Sequence, residues 1–121
     1  MTSPLNWSVE FYTDGRGRSP VAEFLQGLDA QTQARFIYSF EQLRIRNVLA
    51  TEPLVRHLRD KLWEVRERSD GNTYRVIYFF FTGRRIVMLH GFQKKTLRTP
   101  RSEIETAEQH MRDFVSRPGG D

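Results

Sequence analysis

No cysteine occurs anywhere in the 121 residues. That absence removes disulfide scaffolds, thiol nucleophiles and cysteine-based zinc sites together. No apolar run reaches the length of a membrane span, and no basic segment followed by an apolar one opens the chain, so neither a membrane span nor a secretory signal is expected. The three histidines, His57, His90 and His110, have no metal-ligand spacing. A Walker loop, a Gly-x-Gly-x-x-Gly turn, a His-x-x-x-His pair and a seryl nucleophile motif are all missing. No carboxylates fall at a spacing that argues for paired acid–base work. The reading is of a cytoplasmic protein with no metal and no cofactor, in which any catalysis rests on Lys, Arg and His90.

What is present is positive charge, unevenly spread. Residues 1–53 carry a net of −1, residues 54–101 hold twelve Lys/Arg against four Asp/Glu for a net of +8, and residues 102–121 return to −3. Between Arg84 and Arg101 there are six Lys/Arg and no acid. A block of like charge is ordinarily a solvated face. Here it coincides with predicted strands, where a folded sheet can focus it on one surface toward an anionic partner. The pair Lys94-Lys95 follows the last strand, with Arg98 and Arg101 beyond it. Nucleic acid is the first partner to consider.

The apolar content, 38%, suffices for one domain over residues 1–121. Trp7 to Tyr12 reads as a strand, ended by the turn-forming Asp14-Gly15-Arg16-Gly17. Ser19-Pro20 reads as a helix cap and first helical residue, followed by Val21, Phe24, Leu25 and Leu28 on one face. Asp29 caps a second helix with Phe36, Ile37, Phe40 and Leu43 as its stripe, fading near Asn47 before the Thr51-Glu52-Pro53 break. Three strands follow: Leu62 to Arg68, Tyr74 to Phe81 after the turn Ser69-Asp70-Gly71-Asn72, and Ile86 to Phe92 after Thr82-Gly83. Thr99-Pro100 repeats the cap-plus-proline start of a last helix, with Ile104, Ala107, Met111, Phe114 and Val115 as its apolar stripe. Arg117 to Asp121 reads as a frayed tail. Two helices, a run of strands and a closing helix make an α+β arrangement.

Arg75 interrupts an apolar strand. By alternation it shares a face with Ile77 and Phe79, so its five donors need a carboxylate, a phosphate or the strand end. Glu64 on the neighbouring strand is the internal candidate and a phosphate the external one. Arg66 lies on the opposite strand face from Trp63 and Val65. Arginine and lysine are poor bases at neutral pH, but they neutralise charge on a phosphate in flight.

The ordered set Lys61-Leu62-Trp63-Glu64-Val65-Arg66, Tyr74-Arg75-Val76-Ile77-Tyr78-Phe79, His90-Gly91-Phe92-Gln93-Lys94-Lys95-Thr96 and Thr99-Pro100-Arg101-Ser102-Glu103-Ile104-Glu105 resembles the RelE/HigB-type toxins of bacterial type II toxin–antitoxin systems, in their phage-related HigB-like branch. The resemblance covers roughly residues 9–115. It implies a RelE-like fold, a small antiparallel sheet with two N-terminal helices packed on one face and a C-terminal helix. It further implies a ribosome-dependent, metal-free mRNA endoribonuclease that inhibits translation by directing a 2′-hydroxyl at the adjacent phosphate. A cognate helix-turn-helix antitoxin would silence it, and DNA would be met only through that complex.

Carried over by motif, the implied catalytic set is Arg66, Arg75, Lys94 and Lys95, with His90 as an acid–base candidate. Arg84, Phe92, Arg98 and Arg101 are the implied RNA contacts. Relatives often stack a late tyrosine on the substrate base; this chain has no Tyr after Tyr78, and Phe92 is the candidate replacement. Two other readings stay open: a toxin of the same fold that poisons DNA gyrase without cleaving RNA, since a fold does not specify its site, and a degenerate phage remnant that only binds nucleic acid or a regulator.

Overall fold

Ser8–Phe11 form the short strand β1 at one edge of the sheet. The Asp14 carboxylate then closes a turn by accepting from the backbone N–H groups of Arg16 and Arg18 at 2.8 and 3.0 Å. The structure, a computed structural model, describes residues 6–118. Ser19 caps α1 (Pro20–Gln26) by accepting from the Ala22 N–H at 3.2 Å, with Pro20 in the first turn where no N–H is needed. Asp29 caps α2 (Ala30–Arg46) through Thr32. Asn47 ends α2 with φ +45° and opens a single 3-10 turn, Asn47–Leu49.

Four strands follow: β2 (Val55–Arg59), β3 (Leu62–Ser69), β4 (Asn72–Phe81) and β5 (Arg85–Lys94), before α3 (Arg101–Ser116). Asp70 and Gly71, at φ +51° and +78°, make the two-residue turn that matches the twist of an antiparallel pair. β2 is an addition to the elements read from the sequence. It is a five-residue edge strand of mostly exposed, charged residues, and so has no apolar alternation to announce it.

Among the described residues the sheet has five strands in the order β1-β5-β4-β3-β2. It is mixed, not wholly antiparallel: β1 runs parallel to β5, from Ser8 opposite Arg85 to Phe11 opposite Met88. Helices α1 and α2 carry the chain from this edge to the far one, so β1 meets β5 only when the other strands have returned. No hairpin constrains its direction.

Both faces of the sheet are covered. Val21 and Leu25 of α1 and Phe36, Phe40 and Leu43 of α2 pack with Val65, Val76, Tyr78, Ile86 and Met88. Ala107 and Phe114 of α3 pack with Ile77, Phe79, Val87 and Leu89. This explains the nearly unbroken apolar run of β4. Val115, assigned to the buried stripe of α3, is 50% exposed. Arg117, assigned to a frayed tail, is anchored by Thr13 and Asp113; residues 119–121 of that assigned tail lie outside the described residues. A register shift sets Met88 opposite Tyr78 and His90 opposite Ile77, leaving Leu89 as a bulge. Its effect is to place His90, Phe92 and Lys94 on the α3 face.

Gly91 faces α1, and a Cβ there would lie 2.3 Å from Cδ2 of Phe24. The aromatic ring occupies the space a side chain would need, so α1 approaches β5 as closely as it does only because residue 91 is glycine. Gly91→Ala is expected to destabilise the protein by about 1–3 kcal/mol through overpacking, measured as a shift in urea midpoint.

Candidate nucleic-acid interface

Strand register gathers the cations. Arg66 lies opposite Arg75, and Arg75 opposite Phe92; the next rung is Arg68, Thr73 and Lys94. On the other side, Glu64 lies opposite Ile77 and is flanked by Arg56 on β2. These residues share the sheet face that α3 covers around Ile77, Phe79 and Leu89. At the Lys94 end of β5 that face opens into a cleft of about 480 Å³, lined by Arg66, Arg68, Thr73, Arg75 and Lys94, with Pro53, Glu67, Thr96 and Leu97 at its sides.

Arg75 is 4% exposed, and its Nη1 meets Oε2 of the fully buried Glu64. Glu64 Oε1 accepts a hydrogen bond from the Thr99 hydroxyl at 2.8 Å. Arg75 and Glu64 thus form a buried ion pair, and Arg75 Nε has no hydrogen-bond partner among the described residues. Burial lowers the Arg75 pKa, and Arg56 adds to the effect; a guanidinium nonetheless stays charged at any physiological pH. Both alternatives left open by the sequence therefore bear on one residue, which has its internal carboxyl partner and also lines the cleft.

Arg66 is held loosely, 3.4 Å from the Pro53 carbonyl and 3.4 Å from Glu52 Oε1. Contacts of that length at a partly exposed site restrain the side chain little. Lys94 is pulled below the usual lysine range, first by desolvation and then by Arg75, Arg56 and Arg66. Like charges held together in this way are costly until an anion arrives.

Of the nine candidate residues, Arg66, Arg75 and Lys94 come together and the others do not. Lys95 is exposed and does not line the cleft. Arg98 is exposed in the connection to α3, and Arg101, the first residue of α3, lies 3.8 Å from Glu105. Arg84 sits in the turn before β5, φ +59°. The ten residues of β5 put it about 30 Å from the cleft at 3.4 Å per residue. Phe92 is 7% exposed within the α3-side core, so it offers no face for a base. His90 stacks on Phe92 at 5.8 Å, and its Nε2 lies 2.7 Å from Glu103 Oε1 of α3. It ties the sheet to the helix, two rungs below Lys94.

The family model described as Phage derived protein Gp49-like (DUF891) matches residues 23–112. The chain belongs to the Gp49-like family. No curated protein matches it. The matched stretch runs from within α1 to within α3, so every cleft-lining residue of this Gp49-like protein falls inside it.

Two cations in or near the cleft were not among the candidates. Arg68 lines the cleft directly, and Arg56 is close enough to depress both Arg75 and Lys94. Arg68 carries the same alternation signal as Arg66, two residues on. Arg56 has no such signal, because its strand was not foreseen.

An anion in the cleft favours the protonated lysine, so binding takes up a proton wherever free Lys94 has lost one. The affinity of an anionic ligand that occupies the cleft, tested with an oligoribonucleotide as the probe, is therefore expected to fall as pH rises through the depressed Lys94 pKa, below the ordinary lysine value of 10.5. A Lys94→Arg variant should stay flat over the same range. Fluorescence anisotropy at fixed ionic strength measures both.

Proposed function

We propose that this protein is the toxin of a type II toxin–antitoxin pair and that its cleft cleaves mRNA on the ribosome. The observation that carries this is the convergence of Arg66, Arg75 and Lys94 on one open cleft. Membership of the Gp49-like family, which is associated with toxin–antitoxin systems, supports the reading. So does the distribution of charge, which draws a polyanion to this face.

In this reading the 2′-hydroxyl of the nucleotide at the cut attacks the adjacent phosphorus. The O2′–P bond forms, the P–O5′ bond breaks, and the products end in a 2′,3′-cyclic phosphate and a 5′-hydroxyl. The 2′-hydroxyl proton leaves to water. The Lys94 ammonium, made more acidic by desolvation and then by its cationic neighbours, protonates the departing 5′-oxygen. Arg75 and Arg66 bind the non-bridging oxygens as their charge grows; loss of one such donor costs roughly 10²–10³-fold in rate. The cations thereby hold the reacting atoms in line as well as neutralise them. A cognate antitoxin covers the cleft or displaces the RNA.

Brief expression of the chain alone, followed by mapping of mRNA 5′ ends with and without active ribosomes, tests the reading. New ends within coding regions that vanish when ribosomes are blocked support it. A DNA-damage response with intact mRNA would instead identify a gyrase poison of the same architecture.

A further inference from the structure

Thr99 stands where a helix cap is expected and does not cap. Helix α3 begins after Pro100 (φ −59°, ψ 144°) with no side-chain cap hydrogen bond. The Thr99 hydroxyl is turned instead to Glu64 Oε1, 35 positions away in sequence. Helix α3 starts one residue later than the Thr99-Pro100 pattern predicts, with Pro100 at the cap position, and a buried carboxyl gains the hydroxyl as a partner.

That carboxyl has no exposed surface and meets Arg75 through its other oxygen. Compared with apolar residues of the same volume, a buried ion pair is weak support for a fold. Stability alone therefore accounts poorly for three polar groups in this place. Their geometry offers a better account. An arginine stem has many rotamers, but one whose carboxyl partner is itself moored has few. Arg75 also lines the cleft beside Arg66 and Lys94, so whatever fixes its guanidinium fixes part of the cleft wall. The connection bearing Thr96 and Leu97, which form part of the cleft wall, is moored at its far end by the same Thr99 hydrogen bond.

We propose that Thr99 and Glu64 are positioning residues: the hydroxyl fixes the carboxyl, the carboxyl fixes the guanidinium, and Arg75 is thereby held ready for a phosphate oxygen. The inference rests on the reading of the cleft as an RNA site and adds to it the groups that orient its most buried cation.

Thr99→Val removes the hydroxyl at nearly constant volume, and Thr99→Ser restores it. Two measurements on the full chain test the inference: cleavage kinetics on ribosome-bound mRNA, and ¹⁵N relaxation of the Arg75 Nε–H group. For Thr99→Val, kcat is expected to fall roughly 10- to 100-fold with KM held within about twofold. Arg75 should become more mobile while the backbone amide spectrum away from residue 99 stays unchanged. Thr99→Ser should recover both properties. An Arg75 as ordered in Thr99→Val as in the wild type overturns the inference, as does loosening of the whole fold in place of this one side chain. If the wild type cuts no RNA, the proposed activity fails, and relaxation alone then decides whether Thr99 moors Arg75.

Discussion

Arg75→Ala is expected to destabilise the protein by about 3–5 kcal/mol, because it strands a buried charge. Glu64 has no exposed surface, and without Arg75 its one hydrogen-bond partner among the described residues is the Thr99 hydroxyl. A carboxylate in that position must stay charged without compensation, take up a proton or draw in water, and each course costs free energy. Replacing both members with apolar residues of similar size, as in Arg75→Met with Glu64→Leu, should recover most of the loss, since no unpaired charge remains. Urea denaturation of the two single variants and the double variant, read as a cycle, gives the coupling directly. The result also governs how activity data are interpreted. Loss of activity in Arg75→Ala alone does not separate lost chemistry from lost fold, whereas a folded, inactive double variant places the Arg75–Glu64 pair in the chemistry.

The second large effect should come without a change in stability. Lys94→Ala and Arg66→Ala remove cations that are partly exposed and lightly tethered, so each should move stability by no more than about 0.5 kcal/mol. Each is nevertheless expected to lower the cleavage rate by about 10²–10³-fold. The double variant should fall further but by less than the product, since groups acting on one phosphate are not additive. Single-turnover cleavage beside a thermal melt provides both quantities. By contrast, Lys95→Ala and Arg84→Ala should cleave like the wild type, one lying outside the cleft and the other at the far end of β5.

Local features were legible in the sequence, and non-local ones were not. The caps at Ser19 and Asp29 and the Asp70-Gly71 turn depend on residues within a few positions of one another, and each formed as read. Thr99-Pro100 presents the same local pattern as Ser19-Pro20. There, however, α3 starts one residue later, with Pro100 at the cap position, and the Thr99 hydroxyl bonds a buried carboxyl brought in from β3; nothing near residue 99 announces it. The parallel pairing of β1 with β5 is likewise a long-range outcome. For the site, alternation gave the faces of each strand but not their register; Arg66 and Arg75 were set together by the family resemblance, and strand pairing places them opposite each other. Residues grouped by nearness along the chain were not brought together. The run from Arg84 to Arg101 looks continuous in sequence, yet the extended β5 separates its two ends by the length of the sheet. Phe92 and His90 share the face of Lys94 but lie under α3, a burial that strand periodicity alone does not reveal.

The central claim is that the cleft supplies cations and the RNA supplies its own nucleophile. Its most direct test is a message carrying a single 2′-deoxynucleotide at the mapped cut position, presented to the protein on the ribosome. Cleavage at that position should stop while binding is retained, and the unmodified message should yield a 2′,3′-cyclic phosphate end. Cutting of the deoxy-substituted message at the unmodified rate would contradict the account.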